Sequence, residues 1–374
     1  MRRIRVLVVH DTAIVRRLVS EALASDPDIE VAGVAPTGRL ALAELSHLNP
    51  DLVTLDVEMP GMSGLEVLAE IRTHYPDLPV LMLSAHTERG AAATLEALAL
   101  GASDYLGKPP GFSNPEEAQT SLREQLVPKV KALCAGRVGR ASSPLVAPPI
   151  APAVKDGLRP APAERVDILA IGVSTGGPNA LTQVLSALPR DFPVPIVVVQ
   201  HMPPLFTRLL AERLSGGSPL KVREAVAGGA LEPGAVWLAR GDHHLVVERA
   251  GKHLRVSINQ EPPENSCRPA VDVLFRSVAQ VFGPRSLAVV LTGMGPDGLR
   301  GCEEIHAGGG RVLVQDEATS VVWGMPGFVA NAGLADAVLP LPEIAAEIER
   351  RVWAKRSRVL GAGFVGGASA VPGR

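Results

Sequence analysis

Aromatic side chains are scarce in this chain, at 3% of 374 residues, too few for the stacking surfaces that hold single-stranded nucleic acid. Cysteine is scarcer still. The three, Cys134, Cys267 and Cys302, are scattered and odd in number, so they suggest neither a disulfide framework nor a metal site and suit a reducing compartment. No apolar run is long enough to cross a bilayer. The basic start Met1-Arg2-Arg3-Ile4-Arg5 leads into an apolar run that Asp11 cuts too early for a signal peptide, so it reads as a first strand. A formal charge of -2 gives no reason to bind nucleic acid or an anionic membrane. The expectation is a cytoplasmic protein with no nucleic acid among its partners and no membrane insertion.

What is present suits a soluble globular chain, 46% hydrophobic and 20% charged, long enough for two domains with separate cores. Its organising stretch is Ile171-Gly172-Val173-Ser174-Thr175-Gly176-Gly177. An apolar run, Val166 to Ala170, precedes it. Ala180, Leu181, Val184, Leu185 and Leu188 follow at helical spacing, which makes the whole a strand, a glycine turn and a helix. Gly172 to Gly176 fits the G-x-S-x-G elbow that exposes a nucleophilic serine. A dinucleotide fingerprint is the second reading, though Ser174 stands where that turn needs its middle glycine. A plain turn with a capping serine is the third.

The first half alternates strand and helix from Ile4 to a last helix near Glu116 to Leu126. This pattern predicts a five-stranded, doubly wound parallel sheet. Polar residues collect at the strand ends, where such sheets bind ligands: His10 and Asp11, then Asp56, Ser84 and Lys108. The two carboxylates suit Mg2+, and Ser84 and Lys108 suit phosphoryl oxygens. Asp11, the run Thr54 to Gly64, Ser84 and Lys108-Pro109 together resemble the receiver domain of two-component response regulators, a flavodoxin-like fold. The resemblance implies that Asp56 is phosphorylated by a histidine kinase. It further implies that Asp11, Asp56 and Glu58 form the Mg2+ site, and that Ser84, Tyr105 and Lys108 form the switch. One departure is His10, which stands where that family usually has an acid. A neutral imidazole is a poor partner for Mg2+, so weakened Mg2+ binding is expected.

From Gly136 to Arg165 the chain turns rich in Pro and Ala and loses periodicity, as an extended tether would. Beyond it, Ser174, His201 and Asp297 each follow the end of a different apolar strand. That placement lets a serine, a histidine and a carboxylate meet in one crevice. Their order is not that of α/β-hydrolases. The glycines around Met294 leave its backbone N–H free to act as an oxyanion donor. Asp242-His243-His244 reads as a hairpin edge, since adjacent strand residues face opposite ways. Cys267 and Cys302 read as small buried residues.

The motifs around Ser174, Gln200 to Pro203, Ser266 to Asp272, Leu291 to Gly298 and Gln315-Asp316 resemble the chemotaxis protein-glutamate methylesterases. That resemblance implies Ser174 as nucleophile, His201 as base and Asp297 as the acid that orients it, with no cofactor for the esterase. It implies glutamyl methyl esters of methyl-accepting chemoreceptors as substrate, with glutamine deamidation as a second activity. The expected organisation is a receiver over 1–127, a linker over 128–164, a larger doubly wound-like α/β esterase domain over 165–355 and a disordered tail over 356–374. The rival expectation is a receiver joined to a nucleotide-binding or other non-esterase output; a DNA-binding output lacks any basic face or helix-turn-helix in the second half.

Overall fold

Two parallel sheets organise the chain in the computed structural model, which describes residues 2–85, 87–108, 115–138 and 165–354. The first is built from β1 (Ile4–Val9), α1 (Ala13–Ala24), β2 (Ile29–Ala35), α2 (Gly38–Leu48), β3 (Leu52–Asp56), α3 (Gly64–His74), β4 (Val80–Ser84), α4 (Glu88–Ala99), β5 (Asp104–Gly107) and α5 (Pro115–Val138). Its strand order is β2-β1-β3-β4-β5, and every pairing is parallel. Strands β3 and β4 are buried throughout, as strands covered by helices on both faces must be. The order reverses between β1 and β3, so the crevice of the sheet opens where His10, Asp11 and Asp56 lie. The turn after β3 is tight because Gly64 has no side chain: a Cβ there would overlap the Asp56 carbonyl oxygen. Ser63 and Glu66 then start α3 as a reciprocal capping box.

One boundary differs from expectation. The helix α5 does not stop near Leu126 but continues through Pro128 to Val138, so the start of the linker at 128 falls inside it. Proline removes one helical hydrogen bond. Burial offsets that loss, because Val130, Leu133 and Cys134 pack into the same core as Val15, Val19 and Leu126. The expected tether beyond this helix and the tail from 356 lie outside the described residues.

The second sheet has seven strands: β6 (Ile168–Val173), β7 (Ile196–Gln200), β8 (Lys221–Glu224), β9 (Ala235–Leu238), β12 (Ser286–Val290), β13 (Arg311–Gln315) and β14 (Ala337–Leu339). Helices α6 (Gly177–Ala187), α7 (Pro204–Gly217), α8 (Val271–Phe282), α9 (Leu299–Ala307), α10 (Met325–Asn331) and α11 (Leu341–Trp353) cover it, and β10 (His244–Ala250) and β11 (His253–Asn259) form a separate hairpin. The order is β14-β13-β12-β6-β7-β9-β8. Strand β6 therefore lies between β12 and β7, and the residues after these three neighbours are Ser174, the Thr292 loop and His201. The doubly wound expectation holds for both domains. Short β8 and β14 and helices α9 and α10 were not legible in the sequence pattern.

An α5 that buries three more side chains beyond residue 127 has a measurable effect. Each contributes about 1.5–3 kcal/mol when fully buried. A first-domain fragment ending at 127 should melt below one ending at 138 by more than about 5 °C, read by circular dichroism. Equal melting points would show that the helical extension adds nothing to this core.

Candidate active site and receiver pocket

Ser174 follows β6 directly, with its amide donating to the Thr292 carbonyl at 3.0 Å. Its carbonyl accepts from Gln200 Nε2 at 3.0 Å and from the Gly177 amide at 2.8 Å. Gly176 turns the chain at φ +79°, a conformation that strains any residue with a side chain. Gly293 packs so closely that a Cβ there would come within 2.8 Å of Ser174 Cβ. The Thr292–Gly298 loop therefore rests against the serine. Among the described residues no acceptor takes the Met294 amide, which stays available as a donor beside it.

His201 is half-buried, and its Nε2 lies 2.8 Å from Asp297 Oδ2. The same carboxylate accepts from the Val271 amide at 2.7 Å and the Asp272 amide at 3.0 Å, the first residues of α8. Asn265 Nδ2 at 3.0 Å and the Gly298 amide at 3.1 Å complete its partners. Burial works against a charge on Asp297, but the His201 bond and these helix-terminal amides hold its carboxyl below its ordinary value. Asp272 lies one residue along, takes the Gly298 and Gly301 amides and, through burial, is pushed above its ordinary value.

The other ring nitrogen of His201 is not where the sequence pattern puts it. Nδ1 meets Cys267 Sγ at 3.7 Å, and among the described residues no hydrogen bond joins His201 to Ser174. Cys267 is thus a half-buried member of the site and not the small buried residue expected; Cys302 is buried, as expected. Burial pulls the His201 imidazole down, but the Asp297 carboxylate and the Cys267 sulfur push it up to about 10. Both partners favour the imidazolium over the neutral ring that a base must be. Position alone signalled Cys267 in the sequence, inside the Ser266 to Asp272 motif.

Neither Arg268 nor His244 is free for other work. Arg268 is held by Asp242 and by the carbonyls of Gln260 and Glu261. His244 ties the hairpin to the Ala270 amide and faces the Pro262 carbonyl.

At the strand ends of the first domain, Lys108 Nζ lies 2.7 Å from Asp56 Oδ1. The Glu58 amide donates to that oxygen at 3.3 Å, while the Glu58 side chain is exposed and outside the cluster of possible metal donors. That cluster is His10, Asp11 and Asp56. His10 was read as a lost ligand, yet its ring is buried beside Asp56, and desolvation holds it below its ordinary value. Ser84 is turned away into α4, bonded to the Gly90 carbonyl at 3.2 Å and to Thr94 Oγ1 at 2.6 Å.

Two segments of the chain match known families: residues 6–118 match the response regulator receiver domain, and residues 169–348 match the CheB methylesterase. The chain is 51% identical to a protein-glutamate methylesterase/protein-glutamine glutaminase of Trichodesmium erythraeum, across 94% of this chain and all of that one. It is 50% identical to one from Nocardioides, across 96% of this chain and 98% of the relative. The chain belongs to the CheB methylesterase family. The crystal structure of the Thermotoga maritima CheB methylesterase catalytic domain is 43% identical, covering 49% of this chain and 97% of that one, with a TM-score of 0.48. The readings of the second domain as a nucleotide-binding or DNA-binding output give way to the methylesterase. No helix among the described residues is long and apolar enough to cross a membrane.

The receiver sits over the methylesterase site. A crevice of about 740 Å3 is lined by Tyr105, Gln125 and Lys129 on one side and by Ser174, His201 and Cys267 on the other. Tyr105 stacks on Phe206 with ring centres 4.7 Å apart and planes 14° apart. Asp104, buried and paired with Lys129, accepts from the hydroxyl of Thr175, the residue after the serine, at 2.9 Å. Outside the crevice, Asn179 donates to the Leu98 carbonyl and Arg213 to the Leu95 carbonyl, each at 2.6 Å.

Proposed function

We propose that this protein hydrolyses γ-glutamyl methyl esters on methyl-accepting chemoreceptors, and that its receiver restrains the activity until a chemotaxis-type histidine kinase phosphorylates Asp56. One observation carries the reading: a serine on a glycine elbow and a carboxylate-anchored histidine share a crevice that the receiver covers. Ser174 Oγ attacks the ester carbonyl and its proton passes to His201 Nδ1, because Nε2 is committed to Asp297. The Met294 amide donates to the oxygen that becomes negative. His201 returns the proton to the departing methoxide, methanol leaves, and water attacks the glutamyl ester of Ser174 by the same route. A glutamine side chain in place of the ester would release ammonia, which is the deamidase reaction. The Cys267-facing His201 of the docked arrangement is the restrained form; activity requires Nδ1 to leave the sulfur and meet the hydroxyl.

Receivers of this family imply Mg2+ for phosphorylation, and the donors present fit that ion poorly. Two carboxylates remain, but a buried nitrogen stands beside them where a hard oxygen is wanted.

Ser174→Ala should lower methanol release from methylated receptor by several orders of magnitude with the fold intact, while Asp297→Asn should cost up to about 10^4, since that acid orients without reacting. Substantial turnover in Ser174→Ala would refute the acyl-enzyme. Cys267→Ala should stay active with a changed pH profile. The base works only when unprotonated, so the rate climbs with pH through the His201 value. Removing a sulfur that raises this value moves the climb to lower pH, and an unmoved profile would mean that Cys267 has no hold on His201. Arg208→Ala with Arg213→Ala cuts contacts to Glu88 and Leu95 far from the chemistry. This pair should raise the basal rate of unphosphorylated full-length protein and leave the fragment from Arg165 unchanged; equal basal rates would argue against restraint by docking.

A further inference from the structure

We propose that the receiver pocket is a mixed nitrogen–oxygen site for a divalent ion of the Co2+, Ni2+ or Zn2+ class, with His10 Nε2 as a ligand beside Asp11 and Asp56, and that it discriminates against Mg2+. The inference refines the receiver part of the proposed function and does not depend on the esterase chemistry.

His10 is 3% exposed, and its Nε2 has no hydrogen-bond partner among the described residues. A buried nitrogen without a partner is costly, so its orientation needs a reason. It points at Asp56: Nε2 stands 3.1 Å from Oδ2, close, but without the geometry of a hydrogen bond. Two donors that share one ion at ~2.1 Å and at right angles stand about 3 Å apart, which is the separation found here. An Asp11 oxygen, an Asp56 oxygen and a His10 nitrogen all lie within 4.8 Å of one another, and Asp11 is open to solvent, which gives the ion an entry.

The other ring nitrogen has a carboxylate within reach. Nδ1 lies 3.0 Å from the Thr12 amide, which donates to it, and 3.0 Å from Asp11 Oδ1. With the Thr12 amide on Nδ1, the ring proton sits on Nε2. As an ion takes Nε2, that proton moves to Nδ1 and is donated to Asp11 Oδ1, so no net proton is released, and the Thr12 amide gives up its bond to the ring. A carboxylate behind a ligating imidazole fixes the ring and raises its basicity. Imidazole suits Co2+, Ni2+ and Zn2+, whereas Mg2+ asks for oxygen donors and gives up water reluctantly.

The test uses full-length protein carrying Cys267→Ala, so that the His201–Cys267–Asp297 group cannot take the ion through sulfur. Co2+ and Mg2+ affinities are measured by calorimetry. Proton NMR of the Co2+ form reads the shifted, exchangeable ring N–H that a ligating histidine shows. Co2+ should bind with one such resonance. His10→Asp should abolish it and lower the preference for Co2+ over Mg2+ by about tenfold or more, the scale on which single groups around a metal act. His10→Asn, a neutral side chain of smaller size, should lose the resonance and Co2+ affinity without gaining Mg2+. Circular dichroism checks the fold of each variant, and either variant that folds decides the question. An unchanged resonance, or an unchanged ratio of the two affinities in His10→Asp, would overturn the assignment.

Discussion

The second domain depends on one buried carboxylate. Asp297 takes the His201 ring, the first two amides of α8, the Gly298 amide and Asn265 on its two oxygens. Leaving such a group buried without partners would cost several kcal/mol, so its partners and its position determine each other. The result is that the ends of β12 and β7 and the start of α8 are tied at one point, against the turn that carries Ser174. Everything the site can do chemically begins with where that carboxylate holds the imidazole.

Much of this was legible in the sequence because it is written in strand ends. Asp56, Lys108, Ser174 and His201 each end or directly follow a strand and Asp297 lies in the loop after another, and parallel sheets expose such residues on one edge. The Met294 amide, which no acceptor takes among the described residues, was expected from its glycines. What stayed hidden depends on tertiary packing. Pro128 reads locally as a stop, and only the burial of Val130 and Cys134 on the receiver core explains why α5 passes it. Cys267 gave no local sign that its sulfur would meet His201 Nδ1, because the two lie 66 residues apart. For His10 the residue type was read as a loss of charge; its orientation toward Asp56 is set by packing around the strand ends.

The restraint on the site has a size that can be reasoned out. Arg208 and Glu88 are largely exposed, so their ion pair contributes little. The Tyr105–Phe206 stack is worth about 0.5–1.5 kcal/mol beyond its burial, and the Thr175 hydroxyl on a buried, charged Asp104 about 1.5–3 kcal/mol. These sums fall in the few-kcal/mol range over which ligands and modifications typically shift protein equilibria.

The path for such a shift is short, because one strand carries both ends of it. Lys108, on Asp56, directly follows β5, and β5 begins with Asp104 and Tyr105, the two residues that hold Thr175 and Phe206. A phosphoryl group on Asp56 adds about -1.5 to -2 of charge where Lys108 now pairs with one carboxylate. Ser84, at present bonded into α4, is the nearest hydroxyl on the neighbouring strand β4, and its departure from Gly90 and Thr94 would loosen the helix that Arg213 and Asn179 grip. Both movements act on the same face, α4 and β5, which is the face laid over the crevice. A two-state docking equilibrium biased at that face requires no further relay between the phosphorylation site and the serine.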